Sequence, residues 1–255
     1  MDTPLHVEIR DLAGASVRVL TMHRPDARNA MDTAMLVALV DALDDATADT
    51  GLRGLVLTGA GGTFSAGADV REQTPDGGRR RMELFTTFYE QLSTFRVPTV
   101  AAVEGPAVGG GAEAAAACDL RVFARSARLR FPGAVYGVPV GTARTIGQVG
   151  LGTAKDWVLS SRWVDAQEAH ASGMAQRLVD DGTTLDAGLA WLADVVQRDA
   201  DTVALLKRLF TDQAGVRDRV AYENDVLRAH AETGGLPPAL DRDLPRTVRP
   251  RRLGG

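Results

Sequence analysis

Gly105-Pro106-Ala107-Val108-Gly109-Gly110-Gly111-Ala112-Glu113 places three consecutive glycines between an apolar run and an alanine-rich stretch. Residues 99–103 before it read as a buried strand, residues 109–117 as a helix that starts on glycines, and residues 119–124 as a strand again. Glycine has no Cβ, so backbone there can come close to a ligand, and N–H groups at a helix start have no intrahelical partner. A second segment of this kind, Phe64-Ser65-Ala66-Gly67-Ala68-Asp69, follows the strand of residues 54–58 and the break Gly59-Ala60-Gly61-Gly62. Two such loops converging would make an oxyanion hole. Taken singly, ordinary turn glycines account for either.

Working outward, residues 6–9 and 17–22 read as strands around Gly14, and residues 24–29 as a polar loop. Asp32 caps a helix whose stripe of Leu36, Leu39, Val40 and Leu43 has the spacing of one helical face. From Asp165 onward the pattern is helical, over residues 166–170, 185–197, 202–213 and 217–231. The expected class is therefore α/β, a β-rich core followed by a helical C-terminal third. The recurring strand-then-helix units fit a spiral and a doubly wound sheet equally.

The 255 residues, 45% of them hydrophobic, suit one large domain. A net charge of -4 argues against nucleic acid as the main partner. Only the C-terminal arm is basic, with Arg242, Arg246, Arg249, Arg251 and Arg252 around Pro245 and Pro250, and it reads as a mobile tail. A single cysteine, Cys118, cannot form an intrachain disulfide and reads as a small core residue. With no signal-like start and no membrane-length apolar run, a cytoplasmic location without membrane contact is expected.

Three motifs compete for the glycine-rich segments. Residues 109–114 weakly satisfy the dinucleotide fingerprint, but the acid expected about 20 residues further on is missing from Leu129-Arg130-Phe131-Pro132-Gly133. Residues 63–67 approach a nucleophile elbow but carry Thr63 where its first glycine belongs, so Ser65 reads as a small loop residue and a serine hydrolase as a distant alternative.

The third reading takes both segments together. Arg24-Pro25 with Asn29-Ala30, then residues 64–69, then residues 105–113 and Ala116-Ala117-Cys118-Asp119-Leu120-Arg121, continue in Phe131-Pro132, Gly137, Gly141, residues 164–169 and Gly173. In this order the motifs resemble the crotonase (enoyl-CoA hydratase/isomerase) family over roughly residues 5–180. The resemblance implies a spiral of repeated ββα units over residues 1–182, a helical trimerisation region over 183–240 and a tail over 241–255. It implies an acyl-CoA thioester as substrate, no separate cofactor, no metal, and a homotrimer or dimer of trimers.

It also implies roles for single residues. The N–H groups of Ala68 and Gly110 would hold the thioester oxygen as enolate charge develops, a donor worth about 2.7–4 kcal/mol each. Glu113, one helical turn after Gly110, matches the first catalytic carboxylate, whereas Gly133 stands where the hydratases carry a second. Substrate contacts are expected from Arg28, Ala66, Gly67, Asp69, Gly109, Gly133, Tyr136, Gly141 and Arg144. Arg144 pairs either with a carboxylate on an unusual acyl group or with a surface acid, and the region of residues 85–92 lines the acyl pocket. A catalytically quiet acyl-CoA-binding protein is the alternative of a different class.

Overall fold

Strands β1 (Leu5–Leu12) and β2 (Ala15–Met22) pair antiparallel across a two-residue turn. Ala13 and Gly14 both have positive φ there, 55° and 84°, the geometry that matches the twist of a hairpin. A single 3-10 turn follows, and Asp32 then accepts from Met35 N–H at 2.8 Å to start α1 (Thr33–Ala48). Leu36, Leu39 and Leu43 are buried as their spacing predicts. The computed structural model describes residues 3–233, so the basic segment 241–255 and the end of the expected helical region lie outside the described residues.

The chain continues through β3 (Leu52–Gly59), α2 (Arg79–Ser93), β4 (Thr99–Val103), β5 (Pro106–Val108), α3 (Gly110–Ala117), β6 (Leu120–Ala124) and β7 (Arg128–Arg130). Then come α4 (Gly133–Tyr136), α5 (Thr142–Val149), α6 (Leu151–Ser160), β8 (Val164–Asp165), α7 (Ala166–Ala171) and β9 (Arg177–Val179). Three helices close the described chain, α8 (Thr184–Val195), α9 (Ala200–Gln213) and α10 (Val216–Glu232). Among the described residues, no helix is long and apolar enough to cross a membrane.

One sheet has the order β1-β2-β3-β4-β6-β9 and a second has β5-β7-β8. Each strand of the larger sheet joins the same growing edge, so there is no reversal of strand order, which a doubly wound sheet requires. The chain instead alternates between the two sheets, from β4 to β5, from β6 to β7 and β8, and back to β9. This is the spiral, and it settles the choice that pattern alone left open.

Two apolar layers flank the larger sheet. One packs α1, α2 and α3 around Leu55, Leu57, Ala101 and Phe123. The other sets Leu189, Leu192 and Val196 of the α8 region against Val19, Val56, Val100 and Val122. Successive residues of β3 and β4 thus point to opposite layers. Helices α4, α5 and α6 fall where the sequence pattern indicates none, because glycines punctuate residues 133–152 too closely for a long stripe; Gly137, Gly141 and Gly150 all have positive φ.

Candidate active site

The two glycine-rich segments are joined as if they were neighbouring strands. Ser65 N–H donates to Pro106 O at 3.2 Å, Val108 N–H donates back to Ser65 O at 2.9 Å, and on the far side Met31 N–H donates to Gly67 O at 2.7 Å. Gly67 lies at the crossing. Its φ is +86°, and a Cβ there would stand 2.4 Å from Val108 O and 3.1 Å from Gly110 N, so only glycine fits. Ala68 N–H and Gly110 N–H donate to no acceptor among the described residues, the latter because it opens α3. Both residues line one cavity of about 390 Å³.

Of the residues expected to touch substrate, Arg28, Ala66, Asp69, Gly109, Gly133 and Tyr136 line this cavity. Asp69 is also engaged elsewhere, pairing with Arg24 at 3.0 Å. Gly67 does not line the cavity and sits instead at the crossing of the two loops, against Val108 O. Gly141 and Arg144 are a correction, since neither lines the cavity. Gly141 is the N-terminal cap of α5 with φ +110°, and Cβ there would come within 3.1 Å of Glu113 Oε1. Arg144 is neither a surface side chain nor poised toward an acyl carboxylate: it is 4% exposed and faces the protein's own carboxyl groups.

Arg144 Nε donates to Glu113 Oε2 at 2.6 Å, and its Nη2 donates to Glu223 of α10. Glu223 Oε2 also accepts from Thr142 N–H, the Thr142 hydroxyl and Ala143 N–H at 2.7, 2.8 and 3.0 Å. The guanidinium carbon of Arg144 sits 4.4 Å from the centroid of the Tyr89 ring. Glu113 is 1% exposed, and burial pushes its carboxyl up to about 7 against the opposing pull of Arg144, with Glu223 adding to the rise. Glu113 does not line the cavity either; contacts run from the cavity wall at Tyr89 to Arg144 and on to Glu113.

The sequence model described as enoyl-CoA hydratase/isomerase matches residues 13–233. The chain belongs to the enoyl-CoA hydratase/isomerase family. It is 36% identical over 177 residues to the 2,3-dehydroadipyl-CoA hydratase of Escherichia coli, covering 68% of this chain and 69% of that protein. An enoyl-CoA hydratase/isomerase structure from Mycobacterium paratuberculosis superposes with a TM-score of 0.82 at 25% identity, covering 94% of this chain and 96% of that one. A monofunctional enoyl-CoA isomerase from Mycobacterium smegmatis gives a TM-score of 0.72 at 28% identity over 84% of this chain and 95% of that one.

Within this family fold the rival motifs take structural roles. The Ser65 hydroxyl donates to Asn29 O at 2.7 Å and accepts from Gly67 N–H at 3.1 Å, so it braces the loop and, among the described residues, meets no histidine. Cys118 is buried with its thiol pushed up to about 12, chiefly by burial, which leaves it inert. Sequence reasoning missed Tyr89 and Glu223 as individual residues. Tyr89 falls inside the region of residues 85–92 assigned to the pocket, but nothing local marked its hydroxyl, and Glu223 lies 79 residues from Arg144. It also missed Arg71 and Arg81, which line the cavity, although Arg79-Arg80-Arg81 is a visible basic run.

Proposed function

We propose that this chain binds an acyl-CoA thioester in the cavity beside Gly110 and stabilises its enolate with the N–H groups of Ala68 and Gly110. The observation that carries this reading is the pair of unpartnered N–H groups lining one cavity, on loops locked together through Gly67. Backbone donors fixed in this way need no reorganisation as charge develops on the oxygen. Cationic Arg28, Arg71 and Arg81 on the lining suit the phosphates of coenzyme A. Glu113 is the proton-transfer group of this reading. A carboxyl near 7 is matched to moving a proton at neutral pH, once the side chain is released from Arg144 toward the cavity. With Gly133 on the wall instead of a second carboxylate, enolate exchange through Glu113 alone fits better than hydration of an ordinary enoyl-CoA.

The direct test is α-proton exchange. A panel of acyl-CoA thioesters incubated in deuterium oxide should gain deuterium at Cα, and Glu113→Gln should slow the gain by about 10²–10⁴. One observation favours a second reading, acyl-CoA binding without turnover: Glu113 is held by Arg144 away from the cavity lining. Micromolar binding with no exchange in any member of the panel would decide for it.

The proposed assembly is a trimer or a dimer of trimers. Its support is the division of apolar residues in the C-terminal helices. Leu192 and Val196 are buried against the sheet, whereas Leu205, Leu206, Leu209 and Phe210 of α9 are exposed, Phe210 at 72%. A patch of this kind on one helix suits burial by another subunit.

A further inference from the structure

Tyr89 stands with its ring against Arg144 and its hydroxyl toward Gly110. A Cβ placed on Gly110 would lie 3.1 Å from Tyr89 Oη, so the phenol ends beside the residue that supplies one of the two oxyanion donors. Tyr89 lines the cavity, and its hydroxyl makes no hydrogen bond with the described residues. Phe85 packs against the Tyr89 ring with centroids 5.6 Å apart, and Met82, Val138, Val140 and Leu227 add apolar surface to the same cavity. A lone hydroxyl in such a wall is satisfied by water while the cavity is open. When an acyl chain displaces that water, the hydroxyl either finds an acceptor on the ligand or is left unpaired, which is costly.

We propose that Tyr89 is a specificity-determining hydrogen-bond donor, and that the cavity prefers an acyl thioester carrying a second oxygen on its acyl chain over the plain hydrocarbon of the same length. This rests on the acyl-CoA reading above and deepens it. The hydroxyl acts as a donor throughout, because burial, reinforced by the charge of Glu113, holds the phenol well above its usual range. The stacked Arg144 fixes the ring, which has little freedom to turn its hydroxyl elsewhere. A site built around such a donor rejects the analogue that lacks the partner more strongly than it rejects a change of one methylene.

The test uses hexanoyl-CoA, 3-oxohexanoyl-CoA and 5-oxohexanoyl-CoA, whose added oxygen only accepts, with calorimetric binding to the full chain. At least one oxo form should bind wild type about tenfold more tightly than hexanoyl-CoA, and Tyr89→Phe should reduce that preference to within about twofold. Phenylalanine keeps the ring over Arg144, and Tyr89→Met serves where that chain does not fold. Equal binding of all three by wild type, or a preference that survives loss of the hydroxyl, overturns the proposal while leaving the acyl-CoA reading in place. Failure of all three to bind overturns the acyl-CoA reading itself, and the role of Tyr89 with it.

Discussion

Arg144 and Glu113 are joined by a 2.6 Å hydrogen bond between side chains that are both about 2% exposed. The guanidinium is shared with Glu223, so one fixed positive charge faces two carboxyl groups and a proton on Glu113 leaves the group neutral. Burial of unbalanced charge is what raises the Glu113 carboxyl to about 7.

The pH dependence of stability follows from that. The native chain keeps a proton on Glu113 up to about 7, whereas the unfolded chain releases it near 4.5, the ordinary value of a glutamate carboxyl. The native state therefore binds more protons in this window, and its contribution to stability is full below 4.5 and is lost as pH rises to about 7. Its slope is at most about 1.4 kcal/mol per pH unit. Thermal unfolding followed from pH 4.5 to 8 should show this decline in wild type and its loss in Glu113→Gln.

Removing the cation should be worse than removing either acid. Arg144→Met leaves Glu113 and Glu223 buried without a counter-charge, a loss of about 3–5 kcal/mol by analogy with other broken buried pairs. Urea unfolding at pH 8 reads it directly. The deficit should shrink at pH 5.5, where Glu113 is protonated.

Gly133→Glu would restore a carboxylate at the position where the resemblance to the family puts one, yet it should not yield a working hydratase. The obstacle is space and not backbone conformation, since Cβ at Gly133 would stand 2.6 Å from Val138 O and 3.0 Å from Val140 Cγ1. The residues 138–140 would have to shift. A fall in melting temperature with no gain in hydration of crotonyl-CoA is the expected result, and a folded variant with strong hydratase activity would contradict it.

Gly67 and Gly62 form a matched pair for testing the crossing of the two loops. Both have positive φ, +86° and +69°, but Cβ meets nothing within 4 Å at Gly62 and lies 2.4 Å from Val108 O at Gly67. Gly62→Ala should cost about 1 kcal/mol from conformation alone. Gly67→Ala should cost clearly more and abolish acyl-CoA binding, as read by calorimetry beside chemical unfolding.

The exposed face of α9 predicts association. Light scattering at micromolar concentration should report a mass at least three times that of one chain, and Phe210→Glu should reduce it. A monomer in wild type would remove the proposed assembly.

What could be read from the sequence was whatever is written locally. The hairpin at Gly14, the Asp32 cap, the stripe of Leu36, Leu39 and Leu43, and the glycines at 67 and 109–111 all act within a few residues of themselves. The cavity lining by Ala68 and Gly110 follows from those glycines. The partners of Arg144 were not legible, because Glu113 is 31 residues before it and Glu223 is 79 after it. Burial turned an arginine expected at the surface into the centre of a charge cluster, and Tyr89 entered the wall only because α2 packs beside α3 and α10. Interactions of that range depend on the finished packing, for which a short sequence motif has no signal.

Glu223 gives the order of synthesis a chemical meaning. While the chain is being made, Glu113 and Arg144 emerge long before α10, and domains assemble as their segments become available. Until α10 arrives, Arg144 has a single carboxyl partner, and Thr142 and Ala143 lack the acceptor for their N–H groups. The last described helix therefore completes a charge cluster behind a pocket whose first loops were laid down early. A chain interrupted before Glu223 would carry every glycine of the two glycine-rich loops and still lack the balance of charge on which Glu113 depends.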